Sequence, residues 1–189
     1  MNYLLHLLLS QTDDEQYVGN MIGDFVKGRL DTQFSPGIVA GLRRHRCIDA
    51  FAETNQYFLH SKQLIAPEYG LYRGIMVDMF YDHFTACHWN NYSKDSLEDF
   101  AQHIYALLAQ QQHLPAKFTA QIPRMIKNNW LVAYRQPETI GRALHHISQR
   151  ITRTNPLSGG EKELMKHYSA LENDCHQFTC SALKYINQL

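Results

Sequence analysis

The amino-acid sequence predicts an all-α protein, a single-domain multi-helix bundle over residues 1–189. Apolar residues recur at helical spacing along nearly the whole chain, and the alternation of a half-buried strand is absent. No internal repeat, low-complexity tract or Gly/Ser linker divides the sequence. A length of 189 residues, with 44% hydrophobic and 12% aromatic residues, is typical of one globular domain with one core.

Capping residues and helix breakers define the expected elements in the first half of the chain. Asp13 can cap a second helix, and Gly28 lies near the end of that helix. Ser35 before Pro36 is a strong start signal for a third helix, because proline is favoured at the first helical position. The helices predicted in this half cover about 2–10, 14–29, 36–65 and 69–89.

The second half of the chain is predicted to be helical as well. Ser93 opens a fifth helix and Pro115 closes it. The Asn-Pro dipeptide at 155–156 and the Gly-Gly pair at 159–160 break the chain before a long last helix. The helices predicted here cover about 93–113, several short segments in 116–134, then 137–152 and the last stretch to the C-terminus.

Composition excludes several classes of function. The 18 basic and 18 acidic residues give a formal charge of zero, so no global field draws the protein to nucleic acid or to a membrane. The four cysteines form no Cys-x-x-Cys pair, which argues against a zinc ribbon and against a disulfide scaffold. The apolar N-terminal stretch lacks the basic start and the cleavage site of a signal peptide. We therefore expect a cytoplasmic protein with reduced thiols.

The third predicted helix carries ionisable residues on its apolar stripe. Ile38, Leu42, His45, Asp49 and Ala52 share this stripe at about 100° per residue. His45 and Asp49 are four positions apart, so their side chains can reach one point. The stripe should face the core, and two of its five members are ionisable.

The second and fourth predicted helices also carry ionisable residues on their apolar stripes. Asp78 and Asp82 lie four apart within the apolar stripe of the fourth helix, with His83 at its edge. Asp24 occupies a core-facing position on the second helix. Three helices are thus predicted to direct carboxylates inward.

Inward carboxylates need a shared positive partner, since burying an unpaired one costs several kcal/mol. A divalent cation with mixed oxygen and imidazole ligands would serve, and His6 on the apolar first helix could supply another nitrogen. Two alternatives stay open. An inward aspartate can pair with an arginine or cap a helix, and His6 can be an ordinary core histidine. The spacing alone does not select a metal.

Several segments of the sequence resemble those of the acyl carrier protein phosphodiesterase family. They occur in the family's order and span most of the chain. The segments are MNYLLHLLLS at the start, GNMIGDFVKG (19–28), HRCIDAF (45–51), VDMFYDHF (77–84) and NWLVAYR (129–135), with a looser match in HYSALENDCHQF (167–178).

The resemblance implies a fold, a reaction and a cofactor. The family is similar to the HD-domain phosphohydrolases, so the fold should be HD-domain-like. The implied reaction is hydrolysis of holo-acyl carrier protein to the apo form and 4′-phosphopantetheine. The implied cofactor is a divalent cation, typically Mn²⁺, with Mg²⁺ as the alternative. Acyl carrier protein is the implied partner, and neither nucleic acid nor membrane is expected.

The resemblance also implies the roles of several residues. Asp24 in GDFVKG matches the family's essential aspartate, and we assign it the role of catalytic base. His45 and Asp49 match the family's His-x-x-x-Asp and are expected metal ligands. His6 matches the histidine of the opening helix and is a candidate general acid. The family often has a second histidine where this chain has Leu8.

The fourth helix supplies the remaining candidates. Asp82 and His83 match the family's Asp-His pair, and Asp82 is an expected metal ligand. Asp78, four residues earlier, is a further expected ligand. His83 is a second candidate for the group that protonates the departing serine oxygen. The contiguous His-Asp dipeptide of the wider superfamily is absent, so ligand identities do not follow from the superfamily pattern.

An acidic carrier protein requires a basic surface, and the neutral net charge confines this surface to a local cluster. Lys27 and Arg29 end the second predicted helix, and Arg43 and Arg44 point away from the inner stripe of the third. These four residues are the predicted docking residues. An ordinary solvated face accounts for them equally well.

Two other functions remain open at this point. One is an HD-like phosphohydrolase that acts on a nucleotide or another small phosphodiester. The other is a non-enzymatic helical protein in which the inward carboxylates pair with arginines.

Overall fold

The computed structural model describes residues 3–10, 13–30 and 33–188. Every regular element in these ranges is helical, which confirms the all-α prediction. The α-helices are α1 Leu4–Leu8, α2 Asp14–Met21, α3 Pro36–Ala52, α4 Gln56–Leu64, α5 Arg73–Cys87, α6 Leu97–Gln110, α7 Ala116–Thr119, α8 Ile122–Lys127, α9 Trp130–Ala133, α10 Pro137–Arg150, α11 Glu161–Lys166 and α12 Tyr168–Ile186. Short 3₁₀ segments cover Gly23–Phe25, Pro67–Tyr72 and Trp89–Asn91.

Helices α2 and α3 begin at the predicted caps. The Asp13 side chain accepts a hydrogen bond from the Gln16 amide at 3.0 Å, and the Ser35 hydroxyl accepts one from the Ile38 amide at 3.4 Å. The prediction that α2 continues to residue 29 is wrong, because the α-helix ends at Met21. Asp24 therefore lies in the 3₁₀ turn that follows α2.

The predicted third helix over 36–65 is two helices. Helix α3 ends at Ala52, and the Asn55 side chain caps α4 by accepting hydrogen bonds from the amides of Tyr57 and Phe58. The break has no proline or glycine, so the sequence carries only this weak cap signal. The last helix is also divided, at His167 between α11 and α12.

Helices α2 and α3 pack backbone against backbone. A side chain added at Gly19 would overlap the Ile38 carbonyl, and one added at Gly41 would overlap the main chain of Gln16. Only glycine permits this approach. The close contact holds the 3₁₀ turn after α2 beside the middle of α3.

Helix α5 lies at the centre of the bundle, and α1, α4, α10 and α12 pack on it. Its residues Phe80, Tyr81 and Phe84 are among the largest fully buried side chains. Helix α12 also packs on α3 and α4. In the part of the chain that the structure describes, no helix combines the length and apolarity required to cross a bilayer.

Candidate functional site

Helices α1 and α3 bring two histidines and one carboxylate together. The imidazole rings of His6 and His45 stack with their centroids 4.1 Å apart. His6 Nε2 lies 3.3 Å from Asp49 Oδ1, and His45 Nε2 lies 3.3 Å from Asp49 Oδ2. Among the described residues, these three form the group whose ligand atoms all lie within 4.8 Å of one another. Nitrogen and oxygen donors at this separation suit a divalent cation.

Asn20 fixes the orientation of both imidazole rings. Its Nδ2 donates to the His6 carbonyl at 2.9 Å and to the Ser10 hydroxyl at 2.6 Å, so its Oδ1 is left to accept from His6 Nδ1 at 3.1 Å. The Asn20 carbonyl accepts from His45 Nδ1 at 2.9 Å. Both histidines therefore carry a proton on Nδ1 and present Nε2 to Asp49. Such outer hydrogen bonds commonly set the tautomer of metal-binding histidines.

Gly23 allows His45 to reach this position. A Cβ atom at Gly23 would overlap the His45 ring, so any larger residue would displace the imidazole. Gly23 also begins the turn that carries Asp24, whose Oδ1 lies 3.9 Å from His45 Nε2. The GNMIGD segment thus supplies the Asn20 support, the space for His45 and a second carboxylate.

Charge interactions in the group shift its pKa values. Burial acts to lower the pKa of His45, but the carboxylates of Asp24 and Asp49 outweigh it and raise the pKa to about 9. Burial acts to raise the pKa of Asp24, but His45 lowers it to about 2. The pKa of Asp49 is also lowered, because His45 and His6 outweigh the effect of burial. Both carboxylates are ionised at neutral pH.

His6 behaves differently from its neighbour. Burial and the positive charge of His45 lower the pKa of His6, against the opposing effect of Asp49. A neutral His6 with its proton on Nδ1 has a lone pair on Nε2, which faces a carboxylate oxygen at 3.3 Å. Two acceptors at this distance repel each other unless a proton or a cation lies between them. The residues present therefore fit a divalent cation.

A model of the acyl carrier protein phosphodiesterase family matches residues 1–182. An acyl carrier protein phosphodiesterase of Photorhabdus laumondii is 30% identical over 182 residues, which cover 94% of this chain and 91% of that protein. One of Yersinia pestis is 30% identical, with 92% and 91% covered, and one of Salmonella paratyphi A is 31% identical, with 91% and 90% covered. This chain belongs to the acyl carrier protein phosphodiesterase family. No solved structure matches it.

The two aspartates of α5 have separate environments in this family member. Asp78 lies outside the three-residue group; burial raises its pKa, with His6 opposing and Asp49 adding to the rise. Asp82 is fully buried and accepts hydrogen bonds from the amides of Tyr3 at 2.8 Å and Leu5 at 2.9 Å. The structure thus uses Asp82 to cap α1 and does not bring it to the histidines.

His83 also lies apart from the group. Its Nδ1 donates to the Tyr134 carbonyl at 2.9 Å, and its Nε2 lies 3.0 Å from the Tyr168 hydroxyl. Burial lowers the pKa of His83. Asp82 and His83 are adjacent in sequence, but adjacent residues on a helix point about 100° apart.

Two of the predicted docking residues, Lys27 and Arg29, follow the Asp24 turn in the chain, and the other two, Arg43 and Arg44, lie on α3. Lys27, Arg29 and Arg43 are exposed, and Arg44 is partly buried. Arg46 donates to the Val26 carbonyl at 3.2 Å and so ties α3 to the segment that carries Lys27. Lys27 is therefore on a segment that is attached to the helix carrying His45 and Asp49.

Asn20 supports both histidines of the candidate site, and this role was not predicted from the sequence. It is 1% exposed, although asparagine is rarely buried, and its side chain makes two hydrogen bonds to His6 of α1. The available signal is the segment GNMIGDF, where this polar residue stands among small and apolar ones.

Proposed function

We propose that this chain is a divalent-cation-dependent phosphodiesterase that converts holo-acyl carrier protein to the apo form and 4′-phosphopantetheine in the cytoplasm. The observation that carries the proposal is the convergence of His6, His45 and Asp49 in a chain that the family model matches over residues 1–182. The names of the relatives support the carrier protein as substrate.

The cation would be held by His6 Nε2, His45 Nε2 and the Asp49 carboxylate. Mixed imidazole and carboxylate donors are compatible with Mn²⁺, our first choice, and with Mg²⁺. When bound, such a cation supplies Lewis acidity toward a phosphoryl oxygen and lowers the pKa of a coordinated water.

Asp24 is the residue that we assign as base. It is ionised at neutral pH, and 36% of its side chain is exposed beside His45, so solvent can reach it. A carboxylate in this position can accept a proton from the attacking water or complete the coordination. Asp78, in electrostatic contact with His6 and Asp49, stays a candidate for a further ligand.

The basic residues next to Asp24 are the proposed contact for the acidic carrier protein. Lys27 is exposed on the segment after α2 and Arg43 is exposed on α3, and the hydrogen bond from Arg46 to Val26 joins these two elements. Charges at the rim of an interface act mainly on the association rate.

The deciding experiment incubates the purified protein with holo-acyl carrier protein and Mn²⁺ and follows the mass of the carrier. We expect loss of the phosphopantetheine mass with wild type, and none with Asp24→Asn or Asp49→Asn at unchanged helical circular dichroism. Asp14→Asn, which alters an exposed aspartate paired with His103, is the matched control and should react normally.

Two results would overturn the proposal. Near-normal turnover by Asp24→Asn and Asp49→Asn would remove the site from the reaction. Hydrolysis of bis(4-nitrophenyl) phosphate without any action on the carrier protein would instead favour the small-phosphodiester alternative.

A further inference from the structure

A separate cavity shares no lining residue with the histidine group. Its volume is about 410 Å³, and it opens between α8, α9 and α10, with Tyr3 and α5 behind it. This volume falls within the range of about 300–1,000 Å³ that small-molecule sites occupy. Its apolar lining includes Met79, Trp130 and Ile147.

The mouth of this cavity carries three arginines, Arg124, Arg142 and Arg150, which are exposed. Arg124 lies 3.3 Å from His146 Nε2, and Arg142 donates to the Thr139 hydroxyl at 2.8 Å. In residues 3–10, 13–30 and 33–188, no carboxylate pairs with any of the three guanidinium groups. Three guanidinium groups around one opening, without a carboxylate partner in these ranges, favour an anion.

Tyr3 is one of the residues that line the cavity. Tyr3 is 4% exposed, and its hydroxyl has no hydrogen-bond partner within the described part of the chain. A buried hydroxyl without a partner is costly, and such groups are rare in native proteins. Burial raises the pKa of Tyr3, the Asp24 carboxylate adds to the rise and Arg150 opposes it. The hydroxyl therefore lies within electrostatic range of both the candidate active site and the arginine rim.

We propose that this cavity binds an anionic amphiphile, with a phosphate or carboxylate head against Arg142 and Arg150, an apolar body against Trp130, and a hydrogen bond to the Tyr3 hydroxyl.

Two kinds of molecule combine an anionic head group with an extended body. One is 4′-phosphopantetheine, the product of the proposed function, whose phosphate and extended arm fit a cationic mouth and an apolar wall. The other is a free fatty carboxylate of about ten carbons, a length compatible with a cavity of this class. Tyr3 lies three residues before His6, about 4.5 Å along the axis of α1, so the cavity and the reaction site are close to each other. The binding site itself does not depend on the proposed function.

Trp130 provides a direct probe of occupancy. The chain has two tryptophans, and the other, Trp89, is buried outside the cavity, so Trp89→Phe leaves Trp130 as the only reporter. We would titrate this protein with decanoate and with 4′-phosphopantetheine, and use phosphate alone and decanol alone as head-only and tail-only probes. Isothermal calorimetry on the unaltered protein gives the same dissociation constants independently.

We expect one amphiphile to bind at least tenfold more tightly than either the head or the tail alone. Tight binding of decanoate only would identify a fatty carboxylate site, and tight binding of 4′-phosphopantetheine only would identify a product site. Either result supports the proposal even if the protein does not hydrolyse carrier protein. Failure of both amphiphiles to bind more tightly than phosphate and decanol would overturn it.

Three variants test whether the ligand binds in this cavity. Arg142→Ala with Arg150→Ala changes exposed side chains and should weaken binding at least tenfold, whereas Arg153→Ala, outside the lining, is the matched control. Tyr3→Phe keeps the ring and should weaken binding several-fold, which a purely structural tyrosine would not do. Ala143→Phe should block the cavity; wild-type affinity in this folded variant would refute the proposal.

Discussion

Asn20→Ala offers the sharpest test of how the site is held. The substitution leaves the His6 Nδ1–H and the His6 carbonyl buried without their partner, at about 1–3 kcal/mol each. The free energy of unfolding should therefore fall by about 2–6 kcal/mol, a large part of the ~5–15 kcal/mol of a typical domain. The main-chain carbonyl that accepts from His45 is retained, so the defect should be confined to His6.

The cation affinity should fall with the loss of this support. Removing a group that orients a metal-binding histidine typically costs about 10–100-fold in affinity. Denaturant unfolding of the metal-free protein measures the stability change, and calorimetric titration with Mn²⁺ measures the affinity.

A matched control separates orientation from general destabilisation. Ile140→Ala truncates a fully buried residue of α10 and should cost a similar ~2–5 kcal/mol through the cavity it creates. Its Mn²⁺ affinity should equal that of wild type. If Asn20→Ala binds Mn²⁺ as wild type does, or if Ile140→Ala loses as much affinity, the role assigned to Asn20 is wrong.

The site and its surroundings support three further predictions. The His45 pKa of about 9 lies above the unfolded value of 6.5, so the stability that His45 gives the metal-free protein is complete below pH 6.5 and lost as the pH rises through about 9. The affinity for Mn²⁺ should rise over the same pH range, because the ion displaces a proton from His45. Thermal melts with chelator measure the pH dependence of the stability, and Mn²⁺ titrations at pH 7, 8 and 9 measure that of the affinity. An affinity that does not change with pH would contradict the assignment of His45 as a ligand. Asp82→Ala leaves two buried amides without an acceptor, so the free energy of unfolding measured with denaturant should fall by about 2–6 kcal/mol. A fall below about 1 kcal/mol would show that this cap is unimportant for stability. The double variant Lys27→Glu with Arg43→Glu should raise the KM for carrier protein at low salt with little change in kcat, and this increase should shrink as salt rises. If the KM of the double variant equals that of wild type at low salt, the carrier protein docks elsewhere.

Capping residues and prolines predicted several helix starts correctly, but the predicted start at Ser93 is wrong, because α6 begins at Leu97 and is capped by Ser96. Helix α10 begins at Pro137 as predicted, and α3 begins after Ser35. The break after Ala52 was missed, since Asn55 is a weak cap signal within a continuous helical pattern. The early end of α2 was missed too, because the close approach of His45 to Gly23 is a tertiary contact.

The candidate site was predictable only in part. His45 and Asp49 on one helix face follow from their spacing, and the structure brings them to one point. Asp78 and Asp82 have the same spacing, yet Asp82 turns to the amides of α1, which no local pattern reveals. The meeting of His6 with His45 depends on how α1 docks, and this is decided by contacts distant in sequence.

Because Asp82 of α5 caps α1, the candidate metal centre is complete only while α1 is folded and docked. A five-residue helix has no stability of its own in water, so α1 and its His6 stay ordered only while docked on α5. The apparent affinity for the cation is then the intrinsic affinity multiplied by the docked fraction of α1. Amide hydrogen exchange in α1 should slow when the ion binds, and the exchange rates of the Leu7 and Leu9 amides would then report occupancy of the neighbouring metal site.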